Sequence, residues 1–176
     1  MKKFFGSFAV MALASTFLWA GQANADSGDF VTLNLSGEVP MVAEIGISPD
    51  GTTLEADDIY EVEDLDLTQA LASQTMAYVH EKCNDLGGYT ISLVSSNEGA
   101  LVGQTDGNFS HEYAITYGGA PVTLTAGAAD VTQATAPNAS YPEFDAKIVA
   151  ISFAGDDTLP AQVYADTLTF TITVAD

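Results

Sequence analysis

From Thr167 to Val174 threonine alternates with a large apolar residue at every step: Leu168, Phe170, Ile172 and Val174 fall on one parity, Thr167, Thr169, Thr171 and Thr173 on the other. A helix would scatter these apolar positions around its axis, whereas a strand puts them all on one face. The segment therefore reads as a strand with one face in a core and the other in water. Weaker runs of the same kind cover Val31 to Leu35, Met41 to Ile47, Thr75 to Lys82, Tyr89 to Val94, Glu112 to Tyr117, Pro121 to Thr125 and Lys147 to Phe153, about eight strands in all.

Turn-forming clusters separate these runs. Pro49-Asp50-Gly51, Asp85-Leu86-Gly87-Gly88, Asn97-Glu98-Gly99, Asp106-Gly107-Asn108, Gly118-Gly119 and Gly155-Asp156-Asp157 supply residues that accept tight or left-handed backbone. Seven to eight short strands at such spacing predict an all-β fold, an immunoglobulin-like β-sandwich that closes two sheets over one core. Only Leu67 to Met76 has a pattern compatible with a helical turn. The stretch Ala126 to Asp145, rich in Ala, Thr, Asn and Pro, reads as a long surface connection with room for one short strand.

The first 25 residues have a different character. Lys2 and Lys3 precede an apolar stretch from Phe4 to Trp19, and Ala23-Asn24-Ala25 has the small-x-small form of a signal-peptidase site, so residues 1–25 read as an export signal cut before Asp26. A retained anchor is the rival reading, but the apolar stretch is shorter than the roughly 20 residues needed to span a bilayer. Residues 26–176 are then expected to form a single domain outside the cytoplasm, with no membrane span in the mature chain.

Cleavage would remove half of the four basic residues and none of the 24 acidic ones, leaving Lys82 and Lys147 as the only cations. Such a surface repels nucleic acid and anionic headgroups, and the chain has no arginine to grip phosphate, so neither partner is expected. Cys83 is the single cysteine, which rules out an internal disulfide and reads as a buried, inert thiol.

No catalytic constellation emerges, and no enzyme activity, resident metal or other cofactor is expected. His80 and His111 lie in no ligand motif and read as rim side chains; no Gly-x-Ser-x-Gly elbow or phosphate loop is present. The acidic run containing Asp57, Asp58, Glu61 and Glu63 is the one place where calcium would find several carboxylates. It does not follow the spacing of an EF-hand loop, and a solvated acidic face accounts for it as well. Tyr113, Tyr117 and Tyr141 are candidates for stacking on sugar in a second reading, a monomeric secreted binding module for glycan or calcium.

Three stretches together resemble the exported bacterial pilin-like and spore-coat-U-like β-sandwich domains, which include subunits of chaperone–usher fimbriae. They are Lys82-Cys83-Asn84-Asp85 running into Gly88-Tyr89-Thr90-Ile91-Ser92-Leu93, followed by Ser95-Ser96-Asn97 and Gly99-Ala100-Leu101; Tyr113-Ala114-Ile115-Thr116-Tyr117-Gly118-Gly119; and Leu159-Pro160-Ala161 leading to Tyr164-Ala165-Asp166-Thr167-Leu168-Thr169-Phe170-Thr171-Ile172. Members often bridge the equivalent of Cys83 to a cysteine on the first strand; Met41 to Ile45 holds none.

The resemblance implies an incomplete sandwich completed by a strand from a like subunit or, before assembly, by a periplasmic chaperone acting with an usher. It makes Val31, Leu33, Leu35 and Val39 the expected donor, and Leu168, Phe170, Ile172 and Val174 the expected receiving edge. The same alternation at Val31 to Val39 also fits an ordinary first strand paired within its own domain.

Overall fold

The computed structural model describes residues 32–52, 60–62, 65–139, 141 and 143–175. The chain divides into two units, Met1–Glu38 and Val39–Asp176. The described part of the first unit contains no strand, so the strand expected at Val31 to Leu35 is absent from Thr32 to Leu35, and Val31 lies outside the described residues. The export signal lies outside them too. All the strands belong to the second unit.

That unit is all-β and antiparallel. A five-stranded sheet has the order β1 (Ala43–Ser48), β2 (Leu71–Cys83), β9 (Asp145–Phe153), β6 (Ala114–Tyr117), β7 (Ala120–Val122). A three-stranded sheet has the order β11 (Leu168–Val174), β3 (Tyr89–Ser95), β8 (Ala128–Ala134). A second, smaller three-stranded sheet has the order β10 (Tyr164–Ala165), β4 (Ala100–Gly103), β5 (Ser110–Glu112). No helix occurs among the described residues, and so none is long and apolar enough to cross a membrane.

Beyond the absent first strand, the structure corrects or fills out the sequence expectation in three more places. Leu67 to Met76 is a turn running into β2, because its apolar residues continue the pairing with β9 through two register shifts. The stretch after Ala126 holds a seven-residue strand, β8, whose small side chains hid its alternation but which pairs with β3 along its length. The short hairpin strands of the small sheet have too few residues to show a period.

The chain crosses between the two larger sheets at Asp85 to Gly88. Asp85 Oδ1 accepts from Gly87 N at 2.7 Å, and the Asp85 carbonyl accepts from Gly88 N at 3.2 Å. Gly88 has φ +89°, and a Cβ there would lie 1.9 Å from the Ala134 carbonyl oxygen. Only glycine lets β8 end so close to this turn.

The core fills the space between the two sheets, which makes the unit a sandwich. Val79, Tyr117 and Val149 from the larger sheet meet Val131 and Phe170 from the smaller; beside them Cys83, Tyr89 and Ile91 pack with Ala43, Ile172 and Val174. Each fully buried aliphatic side chain here, such as Val79, Ile91 or Leu93, contributes about 1.5–3 kcal/mol.

Candidate functional site

β11 alternates as the sequence predicts: Leu168, Phe170, Ile172 and Val174 are half-buried against the core, and Thr169, Thr171 and Thr173 are exposed. It pairs with β3 in an unbroken register from Leu168 opposite Ser95 to Val174 opposite Tyr89. Among the described residues no strand pairs with its other side.

The direction of its backbone groups follows from two hydrogen bonds. Ser96 N donates to the Thr167 carbonyl at 3.0 Å, and Ala175 N donates to the Gly88 carbonyl at 3.1 Å. Antiparallel ladders alternate, so the odd-numbered residues of β11 turn their N–H and C=O groups toward β3. Leu168, Phe170, Ile172 and Val174 turn theirs toward the open edge. The residues with core-facing side chains are therefore the ones that offer main-chain groups to an incoming strand.

β1 has the same property on the same side of the sandwich. Asn84 N donates to the Val42 carbonyl at 3.1 Å, and the register with β2 is regular, so Ala43, Ile45 and Ile47 direct their backbone groups outward. β1 and β11 approach within 8 Å across the sandwich.

The start of β11 is pinned by Asp166. Its carboxylate accepts from Tyr113 OH at 2.5 Å, Ser95 Oγ at 2.6 Å, Asn97 N at 3.0 Å and Thr167 N at 2.7 Å. Burial, then the hydrogen bond to Asp166, pushes the Tyr113 phenol above the usual tyrosine range.

Beneath the edge lies a second carboxylate. Glu81 has no exposed surface and sits on the inward parity of β2 between Val79 and Cys83. It accepts from Tyr117 OH at 2.5 Å and Thr132 Oγ1 at 2.7 Å on one oxygen, and from Tyr89 OH at 2.9 Å on the other. Those donors come from β6, β8 and β3, so one carboxylate joins both sheets. The Tyr117 ring stacks on Phe170 with centroids 5.7 Å apart. Burial is the main cause that raises the Tyr89 and Tyr117 phenols well above the ordinary range, so both stay protonated donors.

Both histidines are buried, against the expectation of rim positions. His80 Nε2 lies 2.6 Å from Ser48 Oγ, and the ring meets Phe144 edge-on. His111 packs edge-on against Phe153 at 5.3 Å. Aromatic neighbours far apart in sequence cover each ring, which no local pattern reveals. Burial lowers the His80 pKa, with the Asp50 charge opposing.

The tyrosines put forward for sugar stacking do not converge. Tyr117 is core, with its hydroxyl committed to Glu81. Tyr113 lines a shallow groove of about 530 Å³ with Leu71, Glu112, Ala114 and Phe153, and Tyr141 does not line it. Of the calcium candidates, Asp57, Asp58 and Glu63 lie outside the described residues, and Glu61 is exposed. Among the described residues no group of three or more His, Cys, Asp or Glu is placed to hold a metal ion.

In the donor segment Leu33, Leu35 and Val39 are 79%, 86% and 80% exposed, and none is in a strand. Sequence reasoning missed Glu81 and Asp166. A signal for Glu81 existed, since a charge on the apolar parity of a strand needs buried partners. Asp166 carries no such mark. No family model matches the chain, and no curated protein matches it significantly.

Proposed function

We propose that the chain is an exported structural subunit of a surface fibre or coat, assembled by strand donation. In this reading Val31, Leu33, Leu35 and Val39 of one copy lie along the β11 edge of the next. The observation that carries it is the coincidence at Leu168, Phe170, Ile172 and Val174 of half-buried apolar side chains with outward backbone groups. An added strand satisfies those four N–H and four C=O groups and covers the apolar face at once.

The donor's exposed leucines and valine support the reading, because moving each into a core gains about 1.5–3 kcal/mol. A periplasmic chaperone would hold the same edge before assembly. The resemblance of three stretches to pilin-like and spore-coat-U-like domains points the same way. The glycan-binding alternative is weaker, because the one tyrosine of its three that lines a groove has its hydroxyl tied to Asp166.

The test is deletion of Phe30 to Val39 from the exported protein, followed by electron microscopy and size-exclusion chromatography. Loss of fibres with a folded, soluble product is expected; normal polymerisation of the truncated chain would refute donation from this segment. N-terminal sequencing of the exported protein should begin at Asp26.

A further inference from the structure

Among the described residues the β7, β8 and β5 edges carry obstacles to pairing, while β11, with the shorter β1 beside it, stands open. β7 is three residues long and carries Pro121; β8 bears Asp130 and a register shift that leaves Val131 unpaired with β3; β5 is three residues long. Prolines, charges, bulges and short edges are the usual obstacles to sheet extension. β11 has seven residues in continuous register and no proline, charge or bulge.

The edge is also self-complementary. A second β11 brought up antiparallel about a two-fold axis at Thr171 sets Leu168 opposite the second copy's Val174, and Phe170 opposite the second copy's Ile172. All four positions with outward backbone groups then face others of the same kind, so hydrogen-bonded pairs form along the whole strand. Shifting the centre by one residue shortens the overlap at one end. The isologous arrangement is the one that a two-fold dimer requires.

Charge selects the same surface. The chain carries a net charge of −20, so two copies repel wherever their acidic side chains meet. Residues 167–175 hold no charge, and the one acidic residue of neighbouring β1, Glu44, is paired with Lys82 at 3.3 Å. Asp166 and Asp176 flank this stretch in sequence, so the neutral surface is limited to the paired positions themselves, and there a second copy approaches at least cost.

We infer that two copies of this chain pair through β11 in a two-fold, edge-to-edge dimer centred on Thr171. The dimer stands on the edge geometry; its role rests on the strand-donation reading, under which it is a resting form that caps both receiving edges until a donor strand displaces one. Dimer and donation compete for the same backbone groups.

Thr171 is exposed, so Thr171→Cys is compatible with the fold. In the dimer it meets its own copy at a non-hydrogen-bonded position, where Cα atoms sit about 4.5 Å apart, within disulfide range. The purified mature T171C protein should form a disulfide-linked dimer in air at a yield at least tenfold above T169C. The T169C/T173C double variant should crosslink as well, because those positions face each other. The parent protein should not crosslink, since Cys83 is buried.

The dimer is refuted if T171C stays uncrosslinked while circular dichroism shows a folded sheet protein, or if T169C crosslinks equally well. Deleting Phe30 to Val39 separates the two proposals. The T171C crosslink should survive that deletion while fibres are lost. A crosslink that vanishes with the deletion overturns the dimer, and fibres that persist overturn donation.

Discussion

Tyr117 and Phe170 stack across the two sheets at 5.7 Å, which couples the exposed-edge strand to the buried carboxylate that Tyr117 bonds. Phe170 packs into both core clusters, so the edge is an extension of the core itself. An edge built this way is held rigid from below while its outer backbone groups stay available.

Tyr117→Phe keeps the ring under Phe170 and removes one donor from Glu81. A hydrogen bond to a charged, buried acceptor contributes about 1.5–3 kcal/mol, so urea unfolding should show a loss of that size. Because Thr132 shares the same Glu81 oxygen, a loss well under 1 kcal/mol would mean that the remaining hydroxyls satisfy the carboxylate without Tyr117.

Asp166→Ala removes the acceptor for two side-chain hydroxyls and two backbone amides at the start of β11. Amide exchange should quicken at Thr169 and Thr171, whose N–H groups bond β3, by tenfold or more, with little change in β2 or β9. A uniform change across the sheets would show that Asp166 supports the whole fold and does not anchor the edge in particular.

Acidification should destabilise the protein through His80. Its folded pKa lies below the ordinary value of 6.5, so the unfolded chain takes up the proton first. Stability is intact above pH 6.5 and falls as pH drops from there to the folded pKa. The melting temperature of the parent should therefore fall more than that of His80→Gln between pH 7.5 and 5.5; equal slopes would remove His80 as the cause.

Alkali should act through the buried phenols. Tyr89, Tyr113 and Tyr117 have folded pKa values raised above the ordinary 10, so their contribution is complete below pH 10 and is lost as pH rises further. Phenolate absorbance should appear in two phases, the second coinciding with loss of the circular dichroism signal. Ionisation of all seven tyrosines before unfolding would contradict the buried hydrogen bonds.

Much of the fold was legible in the sequence. Alternation located β2, β3, β6, β9 and β11, and the glycine and aspartate clusters marked the turns between them. β8 fills the place left for one short strand, but its bounds were not legible because Ala128, Ala129 and Ala134 carry little hydrophobic contrast and its membership depends on pairing with β3. The inward face of β11 was legible residue by residue from parity alone, since side-chain direction in a strand is a local property, whereas its role as a receiving edge came from the resemblance.

What the sequence determined by itself was a chain of strands with a defined inner face, a strong negative charge and no cysteine partner for Cys83. Tertiary structure decided which strand stands at the edge, and where its hydrogen-bonding groups point, because ladder register joins residues such as Leu168 and Ser95 across 73 positions. It also buried Glu81 and both histidines. A polar side chain is placed by partners from other strands, and those partners are brought together only when the two sheets close.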